Sequence, residues 1–425
     1  MSPVKKILTS TAAYAGTNVL NKAISFLFLP LFTRLLSPFD FGVVASFQAA
    51  LGISSPFVEL GASAAIARGY FNKDLRFNFS EYVTSALAVI CGGFIVILFL
   101  FMIFNDSISG LLSFPPNFIL FIPVVALSTA IIESAVRIWI SRQKPLFNGL
   151  FRISQSIFEL SLSIALIFLL GHKWQGRILG TGISQVVFCL IATLFFLKWR
   201  LIKLHLNFEY IKDILKYGLP LVVHSLNIWV LFGIDRFFIN KMVGVSATGI
   251  YNVGYTMGSF IAVLGGAYGL AWGPVLFDNL NKHDARVNKK IVKLIFISFA
   301  VILLLTFVFI LLAPYFLKLL ISKEFHGAEK YISWVAFGYA FQWMYRIVAG
   351  YIFYAKKTFF IPIITTAAAL INIILNYILI KEHGTVGAAQ ATFWAYFVSF
   401  VLAWIFAQKA YAMPWFYFMK KQTNA

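Results

Sequence analysis

Long apolar runs alternate with short polar turns along the whole chain, and most of the runs are long enough to cross a bilayer. A spanning helix needs about 20 mostly apolar residues. The pattern predicts an all-α polytopic membrane protein with about twelve transmembrane helices. The predicted spans are 9–32, 40–64, 82–104, 118–140, 153–171, 178–197, 218–240, 248–272, 291–313, 331–354, 360–380 and 387–408.

A short repeat indicates that the chain has two similar halves. Residues 33–44 align without gaps with residues 240–251, so that Arg34 matches Lys241 and Gly42 matches Gly249. The two copies lie about half a chain length apart, as in transporters built from repeats. We therefore predict an N-terminal six-helix bundle at 1–204, a cytoplasmic interfacial linker helix at 205–217 and a C-terminal six-helix bundle at 218–425.

Composition and charge agree with a membrane protein. Hydrophobic residues make up 60% of the chain and charged residues 12%, with a mean hydropathy of +0.86 and a net charge of +20. The bases lie in short loops, which argues against nucleic acid as a partner. Alternate loops hold roughly threefold more bases on one side, which predicts that both termini are cytoplasmic. Aromatic residues near span ends are interpreted as interfacial anchors: Trp139, Trp174, Trp199, Trp415 and Tyr417.

Three bases fall inside predicted spans: Lys22, Arg236 and Arg346. Charge in a membrane is expensive and commonly marks a functional site. A cavity lined by these bases would bind an anionic group such as a pyrophosphate, for which the arginine fork is suited. For Arg236 an ion pair with its neighbour Asp235 is the alternative. Polar residues at helical spacing give further candidate substrate contacts: Asn18, Gln342, Asn372 and Asn376.

Acidic residues within or at the ends of spans are candidates for ion coupling or gating. These are Glu59, Glu159 and Asp235. A structural hydrogen-bonding role is the alternative for Glu159, and a helix cap for Glu59. Glu133 and Arg137 are four residues apart, which favours an intrahelical ion pair.

Several kinds of chemistry are not indicated by the sequence. It has no Gly-x-x-x-x-Gly-Lys-Ser/Thr motif for ATP phosphates, and its loops are too short for a catalytic domain. Cys91 and Cys189 lie in apolar runs without further metal ligands nearby. We therefore expect no cofactor, no metal site and no enzymatic activity.

Three stretches resemble the bacterial polysaccharide flippases, the O-antigen or Wzx-type translocases. They are residues 29–38 with Phe41-Gly42, Glu59-Leu60-Gly61 with Arg68, and Asp235-Arg236 with Gly249-Ile250-Tyr251. The family often has Asp where this chain has Glu59. The resemblance covers the full length and implies the multidrug/oligosaccharidyl-lipid/polysaccharide exporter fold, with two six-helix bundles facing a central cavity.

The resemblance also implies a function. An oligosaccharide repeat unit of O-antigen or a similar surface polysaccharide, carried on undecaprenyl diphosphate, would cross the bacterial inner membrane to its periplasmic leaflet by alternating access. Coupling to H⁺ or Na⁺ and contacts with a polysaccharide polymerase and a chain-length regulator are further expectations. The alternative is an ion-coupled multidrug exporter of the same fold, which would be expected to use membrane carboxylates against cationic drugs.

Overall fold

The fold is all-helical throughout the part of the chain that the computed structural model describes. These residues are 26–74, 77–171, 173–203 and 205–415, together with Gly16 and Ile24. Short 3₁₀ turns lie at Pro116–Phe118 and Lys323–Ala328. The α-helices are α1 Leu29–Leu35, α2 Pro38–Glu59, α3 Ala62–Gly69, α4 Phe79–Ile103, α5 Asn105–Leu112, α6 Phe121–Ser141, α7 Pro145–Leu170, α8 Lys173–Lys198, α9 Phe208–Met242, α10 Val245–Gly258, α11 Phe260–Leu280, α12 Ala285–Leu320, α13 Glu329–Tyr354, α14 Phe360–His383 and α15 Thr385–Ala410.

Nine helices among the described residues are long and apolar enough to cross a membrane. A tenth is added if the stretch 245–280, which bends by 42°, is one span. Helix α13 is also long enough at 26 residues, but its tyrosines, Gln342 and Arg346 reduce its hydropathy. The first predicted span, 9–32, lies mostly outside the described residues. The predicted class, a polytopic all-α membrane protein, is confirmed.

The start and the end of α2 follow from local sequence. The hydroxyl of Ser37 accepts a hydrogen bond from the Asp40 amide at 3.2 Å, and the Asp40 carboxylate accepts one from the Ser37 amide at 2.9 Å. With Pro38 in the first turn, this capping box fixes where the helix begins. Leu60 and Gly61 then adopt left-handed φ angles of 49° and 71°. The predicted span 40–64 is therefore broken at this point into α2 and α3.

The long helix α9 joins the predicted linker to the predicted seventh span. The Asn207 side chain caps it by accepting hydrogen bonds from the amides of Glu209 and Tyr210, at 2.9 and 3.4 Å. The helix then runs unbroken for 35 residues, with Pro220 inside it. The linker predicted at 205–217 is therefore not a separate element, because its residues from Phe208 onward form the first turns of α9.

The chain divides into two compact units. Unit 1 comprises Met1–Val253 with Ile321–Phe325, and unit 2 comprises Gly254–Leu320 with His326–Ala425. Helix α9 belongs to unit 1, where the indole N–H of Trp229 donates to the Ala49 carbonyl of α2 at 3.0 Å. The sequence bundles predicted at 1–204 and 218–425 thus differ in their bounds from the units, and the division into those bundles stays a prediction.

Each unit has its own core. In unit 1, Trp139 is fully buried and packs edge-on against Phe147, Phe151 and Phe195, with ring centroids 4.7–5.5 Å away. The anchoring role predicted for Trp139 is therefore wrong, because three phenylalanines from neighbouring helices enclose its ring and keep it from contact with lipid. Trp415 is likewise buried, in unit 2, and Tyr417 lies outside the described residues.

In unit 2, helix α15 packs against both α13 and α14. Its inner face carries Ala388, Ala389, Ala391 and Ala395, all of which are fully buried. Small residues let neighbouring membrane helices approach closely and gain packing contacts without a hydrophobic driving force. The polar side chains of α13 and α14 therefore belong to helices that are packed tightly against α15.

Candidate functional site

The base in the middle of α13 has no partner of opposite charge in the described part of the chain. Arg346 is exposed, and no ion pair or hydrogen bond of its side chain is found within the described residues. Gln342, half-buried, lies four residues earlier and hence on the same face of the helix. The two predicted contacts are thus brought together, with the guanidinium available to a ligand.

The two predicted contacts on α14 are buried and bonded to each other. Asn376 donates from Nδ2 to the carbonyl oxygen of Asn372 at 2.9 Å and to its Oδ1 at 3.2 Å. Both side chains are at most 1% exposed. Asn372 Nδ2 and Asn376 Oδ1 have no hydrogen-bond partner among the described residues. A substrate role for this pair stays a prediction.

Asp235 and Arg236 form a buried ion pair in unit 1. Nη1 of Arg236 lies 2.6 Å from Oδ1 of Asp235 and donates to the Phe232 carbonyl at 2.7 Å. Nη2 donates to Oδ1 of Asn252 at 3.2 Å. Both side chains are less than a tenth exposed. Of the two roles that the sequence left open for Arg236, this geometry favours the ion pair.

Two residues of this cluster were not singled out from the sequence as ligands of the pair. Tyr251 is fully buried and donates its hydroxyl hydrogen to the Asp235 carboxylate. Its ring also lies 5.4 Å from the guanidinium of Arg236. Tyr251 and Asn252 follow the turn after α9, sixteen residues from their partners. The repeat marked this turn but gave no sign that its aromatic residue bonds the acid.

Glu159 forms a second ion pair, with Arg177. Nη1 of Arg177 on α8 lies 3.0 Å from Oε1 of Glu159 on α7, and it also donates to the hydroxyls of Ser163 and Thr181, at 2.8 and 3.2 Å. The Arg177 guanidinium stands 4.8 Å from the ring of Phe32. The predicted span 178–197 begins just after Arg177, whereas the helix begins four residues before it, at Lys173.

Two further acids of the spans, Glu133 and Glu59, are also bonded. Glu133 pairs with Arg152 on the next helix. The predicted intrahelical pair with Arg137 is therefore wrong, because Glu133 pairs with Arg152 on α7 instead. Glu59 accepts a hydrogen bond from Ser63 across the break between α2 and α3. This contact fits a helix-end role for Glu59.

Two predicted substrate contacts, Asn18 and Lys22, lie outside the described residues. Within the described part of the chain there is no group of three or more His, Cys, Asp or Glu side chains arranged to hold a metal ion.

A pocket of about 720 Å³ opens at one end of unit 1, between the α3–α4 connection and the start of α9. Its main base is already engaged. Arg68 pairs with Asp213 and bonds Tyr82 at 3.1 Å, and Tyr82 donates to Asp213 at 2.8 Å. Burial acts to lower the pKa of Arg68, but Tyr82 and Asp213 outweigh it and leave that pKa raised. This network closes on itself, so the pocket is a weaker candidate than α13.

Comparisons with known proteins agree with this architecture. A family model described as polysaccharide biosynthesis protein matches residues 7–280, and the MatE model matches residues 220–378. An uncharacterized membrane protein of Haemophilus influenzae is 21% identical over 360 residues, which are 83% of this chain and 85% of that protein.

Two solved structures have a similar fold. One is a multidrug resistance MATE family transporter of the MOP superfamily in an inward-facing conformation, with a TM-score of 0.71 and 15% identity over 95% of this chain and 96% of that one. The other is the lipid II flippase MurJ in an inward closed conformation, with a TM-score of 0.71 and 16% identity over 92% of this chain and 87% of that one. These likenesses confirm the predicted fold, which this chain shares with the MATE family transporter and with MurJ.

Proposed function

We propose that this chain, which belongs to the polysaccharide biosynthesis protein family, is a flippase for lipid-linked oligosaccharides. Its cargo would be an O-antigen or similar repeat unit on undecaprenyl diphosphate. It would move this cargo from the cytoplasmic to the periplasmic leaflet of the bacterial inner membrane, with both of its own termini in the cytoplasm. The observation that carries the proposal is the unpaired guanidinium of Arg346.

The guanidinium points to a ligand because an unpaired charge in a membrane helix has a high free-energy cost. A charge in the middle of a membrane helix costs at least ~2.5 kcal/mol even on the lenient insertion scale. Four other charges within spans offset such a cost by pairing, as Glu159 does with Arg177 and Asp235 with Arg236. Arg346 lacks such a partner in the described residues. A phosphate-bearing cargo would supply the missing negative charge.

The chemistry of the side chain fits a diphosphate. The planar fork of arginine makes two parallel hydrogen bonds to phosphate oxygens, which fixes the orientation as well as the charge of the ligand. Gln342, one turn earlier on the same face, can donate to and accept from sugar hydroxyls. Lys22, Asn18, Asn372, Asn376 and Arg236 remain proposed further contacts, and the prenyl chain would stay in lipid during alternating access.

Coupling to H⁺ or Na⁺ is part of the proposal, with Glu59, Glu159 and Asp235 as the candidate carboxylates. Contacts with a polymerase and a chain-length regulator would place the product where it is used. We propose no catalytic step for the chain itself.

An ion-coupled multidrug exporter is the second candidate, and the match of the MatE model to residues 220–378 favours it. Such an exporter would be expected to present unpaired carboxylates to cationic drugs. Glu159 and Asp235 are instead neutralised by arginines, whereas the unpaired charge on α13 is a base. The charges that are left unpaired among the described residues therefore favour an anionic cargo over a cationic drug.

The test is made in the host strain from which the gene has been deleted. Undecaprenyl-diphosphate-linked oligosaccharide is quantified in lipid extracts, and polysaccharide is stained on the cell surface. We expect accumulated lipid-linked oligosaccharide and a bare surface. The wild-type gene and the control variant Lys381→Ala, which removes an exposed base at the end of α14, should restore both. Arg346→Ala at an equal protein level should restore neither.

Two outcomes would contradict the proposal. Normal surface polysaccharide with altered drug sensitivity in the deletion strain would favour the multidrug exporter. Full complementation by Arg346→Ala would show that the guanidinium does not bind the cargo.

A further inference from the structure

Two bases of unit 1 enclose one indole ring. The turn between α6 and α7 carries Arg142 and Lys144, and it packs against Trp199, just beyond the last residue of α8. The guanidinium carbon of Arg142 lies 4.2 Å from the centroid of the Trp199 ring, and the Lys144 ammonium lies 5.6 Å from it. We call these three residues the Trp199 corner.

The corner is held by backbone and aromatic contacts. The Lys144 amide donates to the Trp139 carbonyl at 3.1 Å, which closes the turn, and Gln143 within the turn has a left-handed φ of 56°. The ring of Phe195 packs against the ring of Trp199, with the two centroids 5.4 Å apart. The two cations are therefore preorganised, so that binding a ligand there costs little ordering.

Positive charge at the corner is not balanced by nearby acids. The bases next to Trp199 in the chain are Lys198 and Arg200, both exposed. Neither they nor Arg142 and Lys144 form an ion pair within the described residues. Lys203, further along, is different because it lies 3.5 Å from Glu81. The two bases over the indole, with the two that flank Trp199 in the chain, thus attract an anion.

Exposed leucines extend from the corner along the two helices. On the first turns of α7, Leu146 and Leu150 are 68% and 64% exposed, and on the last turns of α8, Leu194 and Leu197 are 63% and 55% exposed. Side chains of this kind on a membrane helix face acyl chains. An anion that reaches the bases by way of this surface would be attached to a hydrocarbon chain.

We propose that the Trp199 corner binds the headgroup of an anionic phospholipid of the bilayer. The phosphodiester would contact Arg142 and Lys144, the indole would lie at the level of the headgroup, and the acyl chains would follow the leucines. The distribution of bases predicts that this end of unit 1 is cytoplasmic, so the lipid would belong to the cytoplasmic leaflet. The site lies on α6–α8 of unit 1, whereas Arg346 belongs to unit 2, and the proposal does not depend on the identity of the cargo.

A simpler interpretation is that these bases only orient the chain in the membrane. Orienting charges attract anionic lipids diffusely and need no aromatic partner. The two interpretations differ at short range, since only a bound lipid stays within quenching distance of Trp199.

The test uses the purified full-length protein reconstituted into phosphatidylcholine bilayers. A minor fraction of the lipid is phosphatidylglycerol or phosphatidylcholine with brominated acyl chains, because bromine quenches nearby indoles. The contribution of Trp199 is obtained by subtracting the signal of Trp199→Phe. We expect phosphatidylglycerol to be enriched at Trp199 on the order of tenfold over phosphatidylcholine, because two bases act at close range.

Charge variants complete the test. Arg142→Gln with Lys144→Gln should abolish the preference, and Arg142→Lys with Lys144→Arg should keep it. The matched control, Lys290→Gln with Lys293→Gln, removes the same charge from exposed positions on α12 and should also keep it. Equal quenching by the two brominated lipids in the wild type would overturn the proposal. So would an unchanged preference in the Arg142/Lys144 glutamine variant, or an equal loss in the control.

Discussion

Gly42 and Gly249, which occupy matched positions in the two copies of the repeat, pack against each other's helix in unit 1. A Cβ atom on Gly42 would lie 1.9 Å from the carbonyl oxygen of Val245. A Cβ atom on Gly249 would lie 1.9 Å from that of Pro38 and 2.9 Å from the Gly42 amide nitrogen. The two repeated turns are thus in direct backbone contact, and each requires glycine because no side chain fits between them.

Gly249→Ala is expected to destabilise the protein, because the methyl group would force α2 and α10 apart. Overpacking of a tight interface typically costs ~1–3 kcal/mol. The measurement is the thermal unfolding midpoint of the detergent-solubilised protein. Gly92→Ala is the control, since a Cβ on Gly92 meets nothing within 4 Å. Equal midpoints for Gly249→Ala and the wild type would mean that the two turns do not approach this closely.

Glu159→Gln is expected to lower stability, because it leaves Arg177 without a counter-charge. Removing one partner of a fully buried pair costs about 3–5 kcal/mol. The cost should be smaller here, because the Arg177 and Glu159 side chains are 13% and 20% exposed and the hydroxyls of Ser163 and Thr181 remain bonded to Arg177. Unfolding midpoints of Glu159→Gln, Arg177→Gln and the double variant give the coupling between the two groups. A loss of transport at unchanged stability would instead assign Glu159 to ion coupling.

Tyr251→Phe is expected to cost more than Tyr255→Phe. The first removes a hydrogen bond to the Asp235 carboxylate, and the second removes one between the hydroxyls of Tyr255 and Tyr339, whose oxygens are 2.8 Å apart. Hydrogen bonds to charged groups contribute about 1.5–3 kcal/mol, against about 0.5–1.5 kcal/mol for neutral ones. Unfolding free energies in detergent measure the difference. The reverse order would indicate that Tyr251 does not stabilise Asp235.

Arg346→Lys is expected to retain part of the transport that Arg346→Ala loses. Lysine keeps the charge but lacks the planar fork, so that one charge-assisted hydrogen bond to phosphate is lost. That loss corresponds to an affinity about tenfold or more weaker. The measurement is the rate at which lipid-linked oligosaccharide becomes accessible at the outer leaflet. Equal rates for Lys and Ala at this position would show that charge there does not matter.

Local sequence predicted the helices well where their ends are decided by neighbouring residues. Ser37, Pro38 and Asp40 fix the start of α2 through side chains within three residues of one another. The break at Leu60–Gly61 was missed because it depends on a left-handed backbone, and Leu is not a residue that signals one. The continuity of α9 through Pro220 was missed because proline is read as a boundary.

Candidate site residues were harder to rank. The sequence showed that Glu159, Asp235 and Arg346 each carry charge within apolar segments. It gave no sign that Arg177, eighteen residues away on the next helix, pairs with Glu159, or that Arg346 has no such partner among the described residues. Helical periodicity predicts which residues of a helix share a face, but it does not predict which other helix packs against that face.

The sequence by itself determined that this is an all-helical membrane protein, and its motifs pointed to the polysaccharide biosynthesis protein family. The length of apolar runs, the charge of loops and the short motifs all depend on residues that are close together in the chain. A bilayer imposes a helix on any apolar run that is long enough to span it. Tertiary structure alone decided which charges within the described helices pair with one another and which do not. Which charges pair depends on which helices pack together, and these helices come from distant parts of the chain. Pairing is favoured because burial makes each unpaired charge costly.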